Sequence, residues 1–287
     1  MEGYPSSLSY IDRIERFRIE RLGSFFDYLK NNGVTEVVFA GAVRRPRLDP
    51  SAIDAATQKY VPRMLQAIKS GDDGALRIVL SLFEEQGFAI RAAHEVVPEL
   101  LPPAGLLADR DPTPEERKDA ARGLAVVAAL SQVDIGQGCI VRAGQVIAVE
   151  AAPGTDWMLR SLRAYGLPDG VPDGGVLVKR PKIGQDRRVD LPTIGPETIE
   201  AALSAGLTGI MVEAGGVIVL EQELCRQRAN EAGLALWVEE AGQMKLSLIA
   251  GEPSGDALGA ALVDGLGQFH PGITYHGVGG PQMQAQG

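Results

Sequence analysis

The segment from Lys179 to Ile199, KRPKIGQDRRVDLPTIGPETI, concentrates five cations, the carboxylates Asp186 and Asp190, and the prolines Pro181, Pro192 and Pro196. Arg187, Arg188, Lys179 and Lys182 carry charge-assisted donors suited to an anion, and Asp186 and Asp190 can bind a hard cation or position water. The combination points to an anionic substrate and a metal, with phosphate the first choice. A mixed-charge run also suits a solvated loop. Backbone stiffness favours chemistry, because each proline fixes its own φ and restricts the residue before it, leaving Asp190 on a loop with few conformations.

Each candidate has a plain structural alternative. Asp190 can hold a metal, act as a base, or form an Asx turn before Pro192. Arg188 and Lys182 can neutralise substrate phosphates, or Lys182 can pair with Asp186 on the surface. Gln185, Thr193 and Gly195 offer polar contacts around the same loop, although Thr193 can instead cap the next helix. Gly154, Thr155 and Asp156 stand at the start of a helix, where amides favour phosphate, yet an ordinary N-cap explains Thr155 equally. Glu213, between an apolar strand and Gly215-Gly216, is either a second metal ligand or a hairpin-edge charge, and Glu150 is similarly ambiguous.

The elements that must carry these residues belong to a compact chain. Its 287 residues are 45% hydrophobic and 23% charged, enough for two ordinary domains. The net charge of −9 disfavours nucleic acid as a partner. Cys139 and Cys225 have neither disulfide-framework nor zinc spacing, which fits a reducing cytoplasm, and Cys139 has no histidine nearby in sequence to activate it. No apolar run approaches the roughly 20 residues of a membrane helix, and MEGYPSSLSYIDRIERFRIE lacks the apolar core of a signal peptide.

Periodicity predicts an α/β chain in three parts. Residues 1–112 read as an incomplete Rossmann-like domain with a linker: helices near Glu20 to Asn31, Met64 to Ile68 and Leu76 to Gln86, with a buried strand in VTEVVFAGAV and a strand with its loop in FAIRAAHEVV. Residues 113–242 read as a second, catalytic α/β domain. It opens on the helix signal Thr113-Pro114 with Glu115 and Glu116 in the first turn, and continues with a hairpin at Ala143-Gly144, a helix from Thr155, a strand into the charged loop, and GIMVEAGGVIVL as another hairpin. Residues 243–287 read as a C-terminal βαβ fragment in which the glycine-bearing turn GEPSGD precedes a helix.

Between Arg21 and Gly242 the segments VVFAGAVRRP, SGDDGALR, GFAIRAAHEVVPELL, VDIGQGCIV, VIAVEAAPGTDWML, QDRRVDLPTIGPETI and AGLTGIMVEAGGVIVL together resemble the cytoplasmic UDP-2,3-diacylglucosamine pyrophosphatases of the lipid A pathway. The resemblance implies Mg²⁺- or Mn²⁺-assisted hydrolysis of the nucleotide-lipid to UMP and 2,3-diacylglucosamine 1-phosphate. It also implies Asp190 as a catalytic residue, a homodimer, and at most peripheral contact with the inner membrane. Members of that family begin with a strand and glycine-rich loop of the type LGLIAGGG, which has no counterpart here, so an incomplete first domain is expected. GEPSGD and GGPQMQAQG, Gly251 to Asp256 and Gly279 to Gly287, resemble the beginning of lipid A disaccharide synthases. A non-catalytic nucleotide-sugar or lipid-binding protein and a fusion of two neighbouring reading frames stay open as rival readings.

Overall fold

The computed structural model describes residues 15–41, 48–70, 72–165, 174–240, 245–269 and 274–285. Among them the chain is mixed α/β, and its first unit comprises α1 (Leu22–Asn31), β1 (Glu36–Val38), α2 (Val61–Lys69), α3 (Asp72–Glu85), β2 (Ala89–Arg91) and α4 (Ala93–Val96). Its core is aromatic. Phe26 of α1 meets Tyr60 and Phe83 edge to face, with ring centroids 5.4 and 4.9 Å apart. Parallel β1 and β2 put Val37 opposite Ile90, and both pack on that cluster. Val38 on the other face of β1 is exposed. The buried strand predicted at VTEVVFAGAV is therefore short and covered on one face, because a two-stranded ladder here has helices against one side; Ala42 and Val43 of that stretch lie outside the described residues.

The second unit contributes β3 (Gly105–Leu106), α5 (Pro114–Ser131), β4 (Gly138–Arg142), β5 (Gln145–Val149), α6 (Thr155–Tyr165), β6 (Val176–Lys179), β7 (Thr193–Ile194), α7 (Pro196–Ser204), β8 (Gly209–Glu213), β9 (Ile218–Val219), α8 (Gln222–Ala232) and β10 (Ala235–Glu239). Six strands form one sheet in the order β3-β10-β8-β6-β4-β5, with β6, β8 and β10 parallel at its centre. β4 and β3 are antiparallel to the strands they join. Alternating side chains separate the two faces. Val176, Val178, Met211 and Trp237 pack under α5 through Ala120 and Val127. Leu177, Ile210, Val212 and Leu236 pack under α6, α7 and α8 through Leu159, Ile199, Ala202 and Ala229. Such two-sided burial explains the continuous apolar runs of the central strands. α5 lies so close that a Cβ on Gly123 would come within 2.4 Å of Val178.

Local signals set several of these elements. Thr113 caps α5, accepting from the Glu116 amide at 3.2 Å while Glu116 reaches back to the Thr113 amide at 2.8 Å. Ala143 and Gly144, at φ 48° and 77°, make the two-residue turn between β4 and β5. Buried Asp119 of α5 accepts from both turn amides, at 2.9 and 2.7 Å.

Two sequence expectations are overturned. GIMVEAGGVIVL is not a hairpin: β8 is flanked by β6 and β10, leaving no free edge, and β9 pairs in parallel with β7 instead. The Pro- and Asp-rich stretch before Thr113 is not simply a linker, because β3 adds to the edge of the large sheet through Leu106 opposite Trp237.

The third unit is β11 (Lys245–Ile249), α9 (Pro253–Phe269), β12 (Thr274–Val278) and α10 (Pro281–Gln284), with β11 and β12 parallel. α9 begins at Pro253, so Ser254 to Asp256 form its first turn. Asp256 is buried and accepts from the amides of Gly280, Gln282 and Met283 at 2.8, 2.9 and 3.0 Å, tying GEPSGD to the start of α10. Among the described residues, no helix is long and apolar enough to cross a membrane.

Candidate active site

The site lies where β6 and β8 end, at the carboxyl edge of the parallel strands where α/β folds place their ligands. Lys179 is in register with Val212, and strand alternation sends Lys179 and Arg180 to opposite faces. Lys179 is 2% exposed, and its Nζ donates to Glu150 Oε2 and to Thr155 Oγ1, both at 2.7 Å. Lys179 and Thr155, predicted as contacts for substrate phosphate, join Glu150 in a buried ion-pair network at the start of α6. Gly138 leaves room for it: a Cβ there would lie 2.8 Å from Lys179 Cδ. Thr155 is not a simple N-cap, since α6 starts at Thr155 itself and its hydroxyl serves Lys179. Gly154 precedes that helix, and Asp156 is exposed in its first turn.

On the α5 face, Arg180 Nη2 and Glu213 Oε2 are 3.0 Å apart. Burial pushes the Glu213 carboxyl above its ordinary range, and the nearby Arg180 and Arg187 guanidiniums pull it back. Glu213, expected as a second metal ligand or a hairpin-edge charge, ends a central strand and so is no hairpin edge, and two guanidiniums offset its charge.

The charged loop folds back over these ends. Pro181 packs so closely on Gly216 that a Cβ there would lie 2.7 Å from its Cδ. Arg187 is exposed and donates from Nη2 to the Gly215 carbonyl, with no carboxylate within ion-pair distance among the described residues. Gln185 is buried, accepts at Oε1 from the Lys182 amide at 3.0 Å and from Gln137 Nε2 at 2.9 Å, and donates from Nε2 to Asp190 Oδ2. Lys182 Nζ is 2.5 Å from Asp134 Oδ1, an ion pair across 48 positions that the sequence reading did not include.

Arg188 pairs with two carboxylates. Its Nε and Nη2 donate to Asp186, the Nη2 bond being 2.7 Å, and its Nη1 donates to Glu84 of α3 at 2.7 Å. Those hydrogen bonds hold Asp186 below the usual carboxylate range and reinforce the charge on Arg188. Two carboxylates thus compensate the guanidinium, for which an anion-holding role beside Asp190 was expected, and through them Arg188 braces the loop. Arg77 donates to the Gly184 carbonyl at 3.1 Å, and Val189 packs on the aromatic core of the first unit. The loop is consequently clamped between both units. Thr193 is exposed, its hydroxyl 3.3 Å from the Leu191 carbonyl, and it does not cap α7; the N-cap is Gly195, whose amide donates to Thr198 Oγ1 at 3.2 Å.

Residues 2–100 match the family model described as the LpxI N-terminal domain, and residues 103–237 match the LpxI C-terminal domain. Over 221 residues the chain is 43% identical to the UDP-2,3-diacylglucosamine pyrophosphatase LpxI of Caulobacter vibrioides, covering 75% of this chain and 78% of that protein. The chain belongs to the LpxI family. A separate match of 47 residues is 51% identical to the lipid-A-disaccharide synthase of Pseudomonas paraeruginosa, covering 16% of this chain and 12% of that protein. A 44-residue match to the lipid-A-disaccharide synthase of Ruegeria pomeroyi is 52% identical and covers 11% of that protein.

In this LpxI-family chain, the described residues contain no group of three His, Cys, Asp or Glu side chains able to hold a metal. Burial pushes the Cys139 thiol up to about 12 and, with help from Glu221, the Cys225 thiol up to about 11, so neither is a ready nucleophile. Sequence reasoning missed Glu84, Arg77 and Gln137. Glu84 reads as one more exposed helix residue and meets Arg188 across 104 positions, so no local pattern marks it. Gln137 was visible only as part of VDIGQGCIV.

Proposed function

We propose that this LpxI-family chain hydrolyses the pyrophosphate of UDP-2,3-diacylglucosamine, adding water across one P–O–P linkage to release UMP and 2,3-diacylglucosamine 1-phosphate for lipid A synthesis. The observation that carries the reading is its 43% identity to a pyrophosphatase named for that substrate, over 78% of that protein. The 113–242 part, which contains the charged loop, is the catalytic domain in this reading. Asp190 positions the attacking water, and Arg187, exposed and without a paired carboxylate among the described residues, holds the anionic pyrophosphate. Gly154 and Asp156 at the start of α6 and Thr193 beyond the loop are the remaining candidates for polar contact with substrate. Mg²⁺ or Mn²⁺, held by Asp190 and the substrate's phosphate oxygens, would neutralise developing charge and acidify bound water. The reaction is assigned to a homodimer in the cytoplasm, in peripheral contact with the inner membrane that holds the acyl chains.

The test is phosphorus-detected hydrolysis of UDP-2,3-diacylglucosamine in ¹⁸O-labelled water, with Mn²⁺ or Mg²⁺ and with chelator. Metal-dependent UMP release that disappears in Asp190→Ala supports the reading, and the labelled product identifies the phosphorus attacked. A folded protein that releases no UMP refutes it.

A further inference from the structure

We propose that Gln185 is a positioning residue for Asp190, itself aimed by Gln137, and not a contact for substrate. The inference rests on the proposed role of Asp190. It begins with amide orientation. The donor at 3.0 Å from Gln185 Oε1 is the backbone N–H of Lys182, which cannot accept, so the oxygen of the side-chain amide must face it. Gln137 Nε2 supplies a second donor to the same oxygen at 2.9 Å. With both lone pairs of Oε1 engaged, the NH₂ group is left facing Asp190, to whose Oδ2 it donates. Asp190 accepts at that oxygen from a donor whose own position is already determined, so Gln185 fixes one point of its carboxylate.

Gln137 connects this arrangement to the sheet. Its carbonyl accepts from the Arg180 amide at 3.0 Å, directly after β6, and the next residue, Gly138, opens β4. Asp190, on a loop that contributes no strand at that point, is thus referred through two side chains to the rigid edge of the β4–β6 pair. Gln185 is 8% exposed, leaving little of it for a ligand to reach. A reacting carboxylate needs placement within about 0.5 Å, and misplacement by about 1 Å can cost about 100-fold in rate.

The informative variant is Gln185→Glu, which keeps the size and the acceptor for Lys182 and Gln137 but replaces the donor facing Asp190 with an acceptor. Steady-state kcat and KM for UDP-2,3-diacylglucosamine hydrolysis are compared among the unaltered chain, Gln185→Glu, Gln185→Ala, Gln137→Ala and the Gln137→Ala/Gln185→Ala pair, with thermal unfolding confirming folding. We expect Gln185→Glu to lower kcat by about 30- to 100-fold with KM within about twofold. Gln137→Ala, on a partly exposed residue, should lower kcat by about tenfold alone and add nothing in the Gln185→Ala background, since it acts through Gln185. A rise in KM at unchanged kcat would make Gln185 a substrate contact and overturn the inference, as would independent losses from the two glutamines. An unaltered chain with no activity overturns the hydrolase reading and this inference together; an active chain indifferent to Gln185→Glu overturns this one alone.

Discussion

Arg188 of the site loop and Glu84 of α3 meet at 2.7 Å, joining the second unit to the first across 104 positions of sequence. Both side chains are partly exposed, 39% and 44%, so the pair should matter more for loop placement than for stability. Glu84→Ala is expected to change unfolding free energy by less than about 1 kcal/mol while lowering kcat/KM by about tenfold. Urea titration together with steady-state kinetics checks both halves. A stability loss as large as the activity loss would show that the pair holds the fold itself.

The buried pair Lys179–Glu150 should behave in the opposite way. Removing one partner leaves the other charge uncompensated, which costs about 3–5 kcal/mol, whereas replacing both with apolar groups can be neutral. We expect Lys179→Met to lose that amount in denaturant titration and Lys179→Met/Glu150→Met to recover most of it. Equal destabilisation by the single and double variants would contradict the assignment.

Glu213 sets a pH dependence whose sign follows from its environment. Burial raises its folded pKa above the ordinary value of 4.5, against the opposing pull of Arg180 and Arg187. Its contribution is therefore fully present below about 4.5 and declines as pH rises through the folded pKa. The stability of the unaltered chain minus that of Glu213→Gln should fall with rising pH above about 4.5. Denaturant titrations from acid to neutral pH measure that difference, and a flat or rising trend would contradict the burial argument.

Cys139 and Cys225 are buried and held as thiols, with pKa values pushed up to about 12 and about 11. Neither should react with a thiol-directed dye near pH 8 in the folded chain, and both should react once it is unfolded in urea. Rapid native labelling of either would show that its site opens.

Local chemistry alone determined several elements. Thr113-Pro114 with Glu116 started α5, and Ala143-Gly144 closed the β4–β5 hairpin, because a cap or a tight turn depends on residues within a few positions. The loop containing Asp190 was equally visible, since its prolines and charges are contiguous in the sequence. Tertiary structure decided the rest. The apolar run ending at Glu213 became a central strand rather than half of a hairpin because β6 and β10 occupied both its edges, which no local turn signal records. Long-range approach likewise decided that Lys179 is buried with Glu150 and Thr155, that Arg188 meets Glu84, and that Gln185 is held by Gln137. The sequence supplied the charges of the site; strand alternation and the approach of distant elements decided which partner each one meets.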